Sequence, residues 1–284
     1  MSGLTTRNTS TNGVDEKSGQ FLFGDAHTHL DQYGPEEIPG ILDRAAEAGI
    51  GFIVCAGTTL ESTRACIRMA EQHAPFYAGV GIHPMEAHSP VDDEVYAELE
   101  ALARNNPKVV CISEIGLDYM PTSPDHETQD QVFRAQIRLA KSLELPIIFH
   151  SRESHDDVFR TLREEDAGSV GGVMHYFQGD EPTARAAIDC GFYISMARPL
   201  TRLPHLQDAA RAIPLENMVL ETDAFPQPFK KYRHNWTEPR HVREVAQFLA
   251  DLKGITLEEV AETTTRNLAN LLRLEPNKEW LVRG

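Results

Sequence analysis

From Phe21 to Glu221 the sequence repeats one alternation eight times, a short apolar and β-branched run followed by a longer amphipathic segment. The strand-like runs are Phe21 to Ala26, Gly51 to Ala56, Phe76 to Gly81, Val109 to Glu114, Pro146 to His150, Val170 to His175, Phe192 to Ser195 and Met218 to Glu221. Helical spacing fills the gaps. Ile38, Ile41, Leu42 and Ala45 form one apolar stripe, Val132, Phe133, Ile137, Ala140 and Leu143 a second, and Val242, Val245, Ala246, Leu249 and Leu252 a third. Nearly continuous apolar strands separated by helices indicate a parallel sheet covered on both faces. Eight such units within 284 residues predict an α/β protein, a single-domain (β/α)8 TIM-type barrel over residues 21–284. The polar residues 1–20 are expected to be a flexible N-terminal tail. Leu257 to Leu272 predicts an additional C-terminal helix, irregular in the middle because Thr263 to Asn267 is poor in helix formers. A doubly wound open sheet is the competing fold. It needs a Gly-rich phosphate turn after the first strand, where this chain carries His27 and His29.

Charge narrows the partners. With 27 Lys and Arg against 43 Asp and Glu, the formal net charge is −16, so a broad basic face for duplex nucleic acid is excluded and contact with a polyanion must be local. No run approaches the length of a membrane span, and the first twenty residues lack an apolar signal core. Cys55, Cys66, Cys111 and Cys190 share no metal-type spacing and are expected to be free thiols. These features predict a cytoplasmic chain with no membrane and no protein partner.

Polar residues close several of the strand-like runs. In Asp25-Ala26-His27-Thr28-His29, side chains two apart in an extended strand point the same way, so both imidazoles can reach one ion. Glu114, His150 and His175 end the fourth, fifth and sixth runs, and Asp223 follows the eighth. Each has a bland alternative taken singly: a chance histidine pair, a core histidine with one hydrogen bond, a rim carboxylate or a helix cap. All six nevertheless fall at the strand ends where this fold builds its active sites. Six ligands exceed the three that an open catalytic zinc site uses, which predicts two divalent ions per subunit, Mg, Mn or Zn, with Glu114 shared between them.

The segments DAHTHLD (Asp25 to Asp31), GIHP (Gly81 to Pro84), EIGLDY (Glu114 to Tyr119), PIIFHSRE (Pro146 to Glu153), HYFQG (His175 to Gly179) and LETDAFP (Leu220 to Pro226) together resemble the TatD family of metal-dependent deoxyribonucleases, among the amidohydrolase-like metal barrels. The resemblance spans nearly the whole chain after the tail. It implies metal-dependent hydrolysis of DNA phosphodiesters, often as a 3′-to-5′ exonuclease on single strands. It also implies that His27, His29 and Asp223 hold one ion, that His150 and His175 hold the other, and that Glu114 bridges. His83 is implied near the scissile phosphate, and Arg152 belongs to the matching HSRE segment. Two stretches depart from the family's pattern: Thr237-Glu238-Pro239 stands where Asn-Glu-Pro is usual, and Ser195-Met196-Ala197-Arg198 replaces a stretch containing glycine.

Asp223 is the expected base for the attacking water, against a role in ligation alone. His83 is expected either to donate to a phosphate oxygen or to support a ligand. Arg152 suits phosphate, or an internal ion pair with Glu153 or Asp156. Asp31 and Asp118 read as supporting or loop-capping carboxylates. Lys230, Lys231 and Arg233, interleaved with Phe225, Phe229, Tyr232 and Trp236, suggest a loop where unpaired bases stack, or simply a solvated loop. His73, His126, His155 and His205 need no role beyond polarity, and His88 is a minor candidate. Two other functions stay open: an amidohydrolase-type enzyme acting on a small lactone, amide or phosphoester, and a noncatalytic barrel that binds a partner.

Overall fold

The computed structural model describes residues 22–274. The expected tail, Phe21 and residues 275–284 of the expected domain lie outside the described residues. Eight parallel strands pair in chain order: β1 (Phe23–Thr28), β2 (Ile50–Ala56), β3 (Phe76–Val80), β4 (Val109–Asp118), β5 (Ile147–Arg152), β6 (Gly172–Met174), β7 (Phe192–Met196) and β8 (Met218–Leu220). The β8–β1 seam is drawn together just past the strand ends. There Asp223 N donates to His27 O at 3.0 Å and His29 N to Ala224 O at 2.8 Å. The result is the TIM-type barrel, and the open-sheet alternative falls.

The helices among the described residues are α1 (Ile38–Glu47), α2 (Leu60–Gln72), α3 (Asp93–Asn105), α4 (His126–Leu143), α5 (His155–Glu164), α6 (Glu181–Asp189), α7 (Pro204–Ala212), α8 (Val242–Lys253) and α9 (Leu257–Leu271). Thr59, Asp125, Asp180 and Thr256 start α2, α4, α6 and α9 by accepting a backbone N–H three residues on, the usual remedy for unpaired donors at a helix N-terminus. None of the described helices is long and apolar enough to cross a membrane.

Period-two alternation separates two apolar cores. Ile147, Phe149, Met174, Phe192, Ile194, Met218 and Leu220 belong to the layer between barrel and helices. Their neighbours Ile148, Val173 and Val219, with Phe52 and Val54, form the inner cluster. Leu268 and Ala269 of α9, with Leu272, belong to that inner cluster as well, so α9 packs against the barrel interior. Each fully buried side chain of this size contributes roughly 1.5–3 kcal/mol.

The inward face continues past the apolar layer into polar residues. Ile148 leads to His150, Val173 to His175 and Val219 to Glu221, each two residues on. Strand β4 runs four residues beyond the expected end at Glu114. Its pairing with β5 passes from Ile112 opposite Ile147 to Ile115 opposite Phe149, so β4 accommodates one extra residue at Ser113-Glu114. Gly116 allows the strands to stay together beyond that point. Its φ is +142°, and a Cβ there would lie 2.0 Å from the His150 carbonyl oxygen.

Candidate metal centre

Glu114 is 2% exposed and sits at the centre of the barrel mouth. Its two oxygens face different partners. Oε2 lies 3.3 Å from Nε2 of both His27 and His29. Oε1 lies 3.0 Å from His150 Nδ1, 3.3 Å from His175 Nε2 and 3.3 Å from His83 Nε2. On the Oε2 side, His29 Nε2 also approaches Asp223 Oδ1 at 3.5 Å. The potential donor atoms of His27, His175 and Asp223 lie within 4.8 Å of one another as well. All six expected ligands are therefore brought to one place.

Several imidazoles are held at their far nitrogen, which fixes the ring and decides which atom can face an ion. His29 Nδ1 is 3.3 Å from the Ala56 carbonyl oxygen, so in the neutral ring this nitrogen is the donor and Nε2 keeps its lone pair. His150 turns the other way, with Nε2 2.8 Å from Asp118 Oδ2 and Nδ1 toward Glu114. His175 Nδ1 lies 3.0 Å from Glu221 Oε1. His83 differs from all of these. Its Nδ1 accepts from Met85 N at 3.1 Å, so in the neutral ring the proton is on Nε2, the atom aimed at Glu114. Although His83 lies close enough to join a donor group with Glu114 and His150, a nitrogen carrying its proton offers no lone pair to a cation.

The electrostatics show a site that demands positive charge. Burial would raise the Glu114 carboxyl, but the charges of His83, His175 and His27 and the His150 hydrogen bond hold it well below the usual range. Burial opposes a charge on His29, yet Glu114, Asp223 and Asp31 push it up to about 10. For His175 burial is outweighed by Glu221 and Glu114, which raise it to about 9. His27 goes the other way, lowered by burial and by His175, whose ring stacks on it at 3.7 Å. Imidazole nitrogens facing each other at 3.2 Å, as His27 and His29 Nε2 do, with a shared carboxylate, fit a divalent cation taking the place of these protons.

A model of the TatD related DNases matches residues 24–273. The chain belongs to the TatD family. Over 257 residues it is 35% identical to the uncharacterized metal-dependent hydrolase YabD of Bacillus subtilis, spanning 88% of this chain and 98% of that one. Over 265 residues it is 33% identical to the uncharacterized metal-dependent hydrolase YcfH of Escherichia coli, spanning 91% and 98%. The crystal structure of YjjV, a TatD homolog from Escherichia coli K12, superposes with a TM-score of 0.81 at 31% identity, covering 89% of this chain and 98% of that one. With its donor cluster buried in the barrel mouth, this TatD-family chain is a metal-dependent hydrolase.

Around the TatD-family donors lie supporting carboxylates, and the sequence did not reveal the placement of two of them, Glu221 and Asp25. Buried Glu221 accepts from Tyr176 N at 2.7 Å and Ser195 Oγ at 2.6 Å while facing His175. It stands two residues before Asp223, the same spacing that pointed to His27 and His29, and that signal could have found it. Buried Asp25 accepts from Thr222 N at 2.9 Å and Thr222 Oγ1 at 2.5 Å, tying β1 to the segment that carries Asp223. Asp118 does both things expected of it. It holds His150, and it accepts from Ser123 Oγ at 2.6 Å and Met120 N at 3.1 Å in its own loop.

The expected substrate residues do not stay together. Arg152 spends its fork on Asp118, with Nε at 2.7 Å and Nη2 at 2.6 Å, rather than on Glu153 or Asp156. Lys230 and Lys231 line a cavity of about 700 Å³ beside Asp223, as do Phe225 and Phe229. Arg233 does not line that cavity. Its guanidinium is 2.9 Å from both Glu37 and Glu238 and stacks over Trp236 at 4.5 Å. Asp31, Cys55 and Cys66 make a further donor group within 4.8 Å. There Ser62 Oγ already donates to Asp31 at 2.7 Å, and burial pushes the Cys66 thiol well up, which keeps its proton in place. His73, His88, His126, His155 and His205 lie outside every such group among the described residues.

Proposed function

We propose that this chain hydrolyses phosphodiester bonds of DNA at single-stranded ends, with the 3′-to-5′ polarity that the family resemblance implies. The observation that carries this reading is the position of Asp223, which stands in the donor cluster at 3.5 Å from His29 and also lines a cavity with Arg198, Arg202, Lys230 and Lys231 on its walls. In a chain of net charge −16, cations gathered at the mouth of a hydrolytic site suit an anionic substrate.

His27, His29 and Asp223 would hold one divalent ion, His150 and His175 a second, and Glu114 would join the two through its separate oxygens. Bound there, such ions lower the pKa of water and offset charge on the leaving oxygen. The remaining work falls to the chain. Asp223 is part-exposed toward the cavity, where its carboxylate orients water and takes its proton. His83 presents Nε2–H toward the same centre and donates to a phosphate oxygen. Phe229, 74% exposed, and Tyr232, 48% exposed, offer faces on which unpaired bases stack.

The test is nucleotide release from 3′-labelled and 5′-labelled single-stranded oligodeoxynucleotides with Mg²⁺ or Mn²⁺, comparing the native chain with Asp223→Asn. Asp223→Asn is expected to retain metal and to lose about 10²–10⁴-fold in turnover, the range for a positioned proton-transfer group. No metal-dependent release by the native chain would overturn the nuclease reading in favour of a small-molecule substrate. Full metal with nearly normal turnover in the variant would reduce Asp223 to a ligand.

A further inference from the structure

The cavity beside Asp223 has two walls. One is the turn after β7, which supplies Arg198 and Arg202; the other is the loop after β8, which supplies Lys230 and Lys231. Asp223 is the one carboxylate among the lining residues, and it lies at the metal end. The Arg202 side chain makes no hydrogen bond or ion pair among the described residues. Arg198 reaches Glu244 at 3.3 Å and Thr237 Oγ1 at 3.4 Å, both loose contacts, and Glu244 is itself 46% exposed. Lys230 Nζ donates to the Asn235 carbonyl at 3.0 Å, which positions its charge without neutralising it.

Like charges gathered with little counter-charge, here the half-exposed Glu244 beside Arg198, repel one another. Lys230 records that repulsion: burial lowers its pKa first, and Arg198 and Arg202 lower it further. A cavity built this way gains most from an anion that accepts several charged hydrogen bonds at once, and a phosphate has both the oxygens and the charge. The scissile phosphate belongs at the metal cluster. Asp223 belongs to that cluster and also lines the cavity, so the basic walls adjoin the metal end.

We propose that Arg198, Arg202 and Lys230 form a second phosphate subsite, which binds the phosphate neighbouring the one at the metal centre. The substrate is then a strand or end that carries two successive phosphates, rather than an isolated phosphodiester. This deepens, and rests on, the nuclease reading. It also gives a use to Arg198, which stands where the family pattern has a glycine-containing stretch, and it moves substrate contact from Arg233 to residues after β7.

Calorimetric titration of the manganese-loaded protein tests it, with deoxythymidine 3′,5′-bisphosphate set against the 5′- and 3′-monophosphates. The native chain is expected to prefer the bisphosphate by about ten- to a hundredfold, the yield of one or two hydrogen bonds to charged groups. In Arg198→Ala/Arg202→Ala that preference collapses to about threefold or less, and Arg198→Lys restores part of it. Arg202→Ala alone removes a side chain with no hydrogen bond or ion pair among the described residues, so its partial loss of preference is read in a folded protein. Equal binding of bisphosphate and monophosphates by the native chain overturns the subsite, as does a preference that survives in the double variant. Oligonucleotide release measured beside the titration separates the two readings. A native preference with no release would sink the nuclease and leave the subsite standing.

Discussion

Glu114 and Glu238 are both 2% exposed, and both are glutamates surrounded by cationic partners near the barrel mouth. Imidazoles ring Glu114, from His27, His29, His83, His150 and His175. Guanidiniums ring Glu238: Arg44 at 2.8 Å to each oxygen, Arg233 at 2.9 Å and Arg240 at 3.2 Å. The difference decides what each can do. An imidazole can lose its proton to an arriving cation and offer the lone pair instead, so the first cluster can exchange protons for metal. A guanidinium never does either, so the second cluster can only be a clamp. Arg233 belongs to the clamp, which is why its fork is unavailable to substrate.

The largest effect should come from breaking the first cluster at its centre. Glu114→Gln keeps the shape but loses a full charge facing both sets of imidazoles. Turnover is expected to fall about a thousandfold, equivalent to several kcal/mol of lost charge stabilisation, with metal content falling in parallel by elemental analysis. A variant that keeps both metal and rate would remove Glu114 from the centre of the site. Glu221→Gln probes the same cluster from one step out. The charge that faces His175 Nδ1 is lost while the amide oxygen can still accept from Tyr176 N and the amide NH2 can donate to Ser195 Oγ, and metal affinity should drop about 10–100-fold. Unchanged affinity in a competition with a chelator would show that His175 needs no such support.

How legible these two clusters were follows from the distances in sequence that each spans. The ligand set could be read because strand geometry is local: Ile148 predicts where His150 points, and Val173 does the same for His175. The fold class was legible for the same reason, and the stripes in α1, α4 and α8 match their buried faces. The clamp was not legible. Arg44 and Glu238 lie 194 residues apart, and Arg233 meets Glu37 across 196. The irregularity expected at Thr263 to Asn267 is absent, and α9 is continuous from Leu257 to Leu271. Local propensity is overridden there by tertiary contacts: Asn267 Nδ2 donates to Met218 O at 2.8 Å and to Leu215 O at 3.2 Å. The expected stop at Glu114 fails for a related reason, because Gly116 serves a close approach to β5 that is set by pairing with a strand distant in sequence.

Glu238→Gln should give the smallest effect of the three and one of different kind, a loss of folding stability with metal affinity intact. Burial raises the Glu238 carboxyl, but Arg44, Arg233 and Arg240 outweigh it and hold the pKa below the ordinary value. A carboxylate depressed in the folded state contributes stability above its unfolded pKa of about 4.3, and that contribution is lost as pH falls through the lower folded value. Replacing one charged partner of these hydrogen bonds should therefore cost about 2 kcal/mol at neutral pH, with the partly exposed arginines limiting the penalty. Below about pH 4 the native carboxyl begins to take up its proton, and the two proteins should converge. Chemical denaturation of both forms across this range reads the difference directly. A gap that stays constant from neutral to acid pH would mean that the clamp works by shape and hydrogen-bond count rather than by charge, and the contrast with Glu114 would lose its basis.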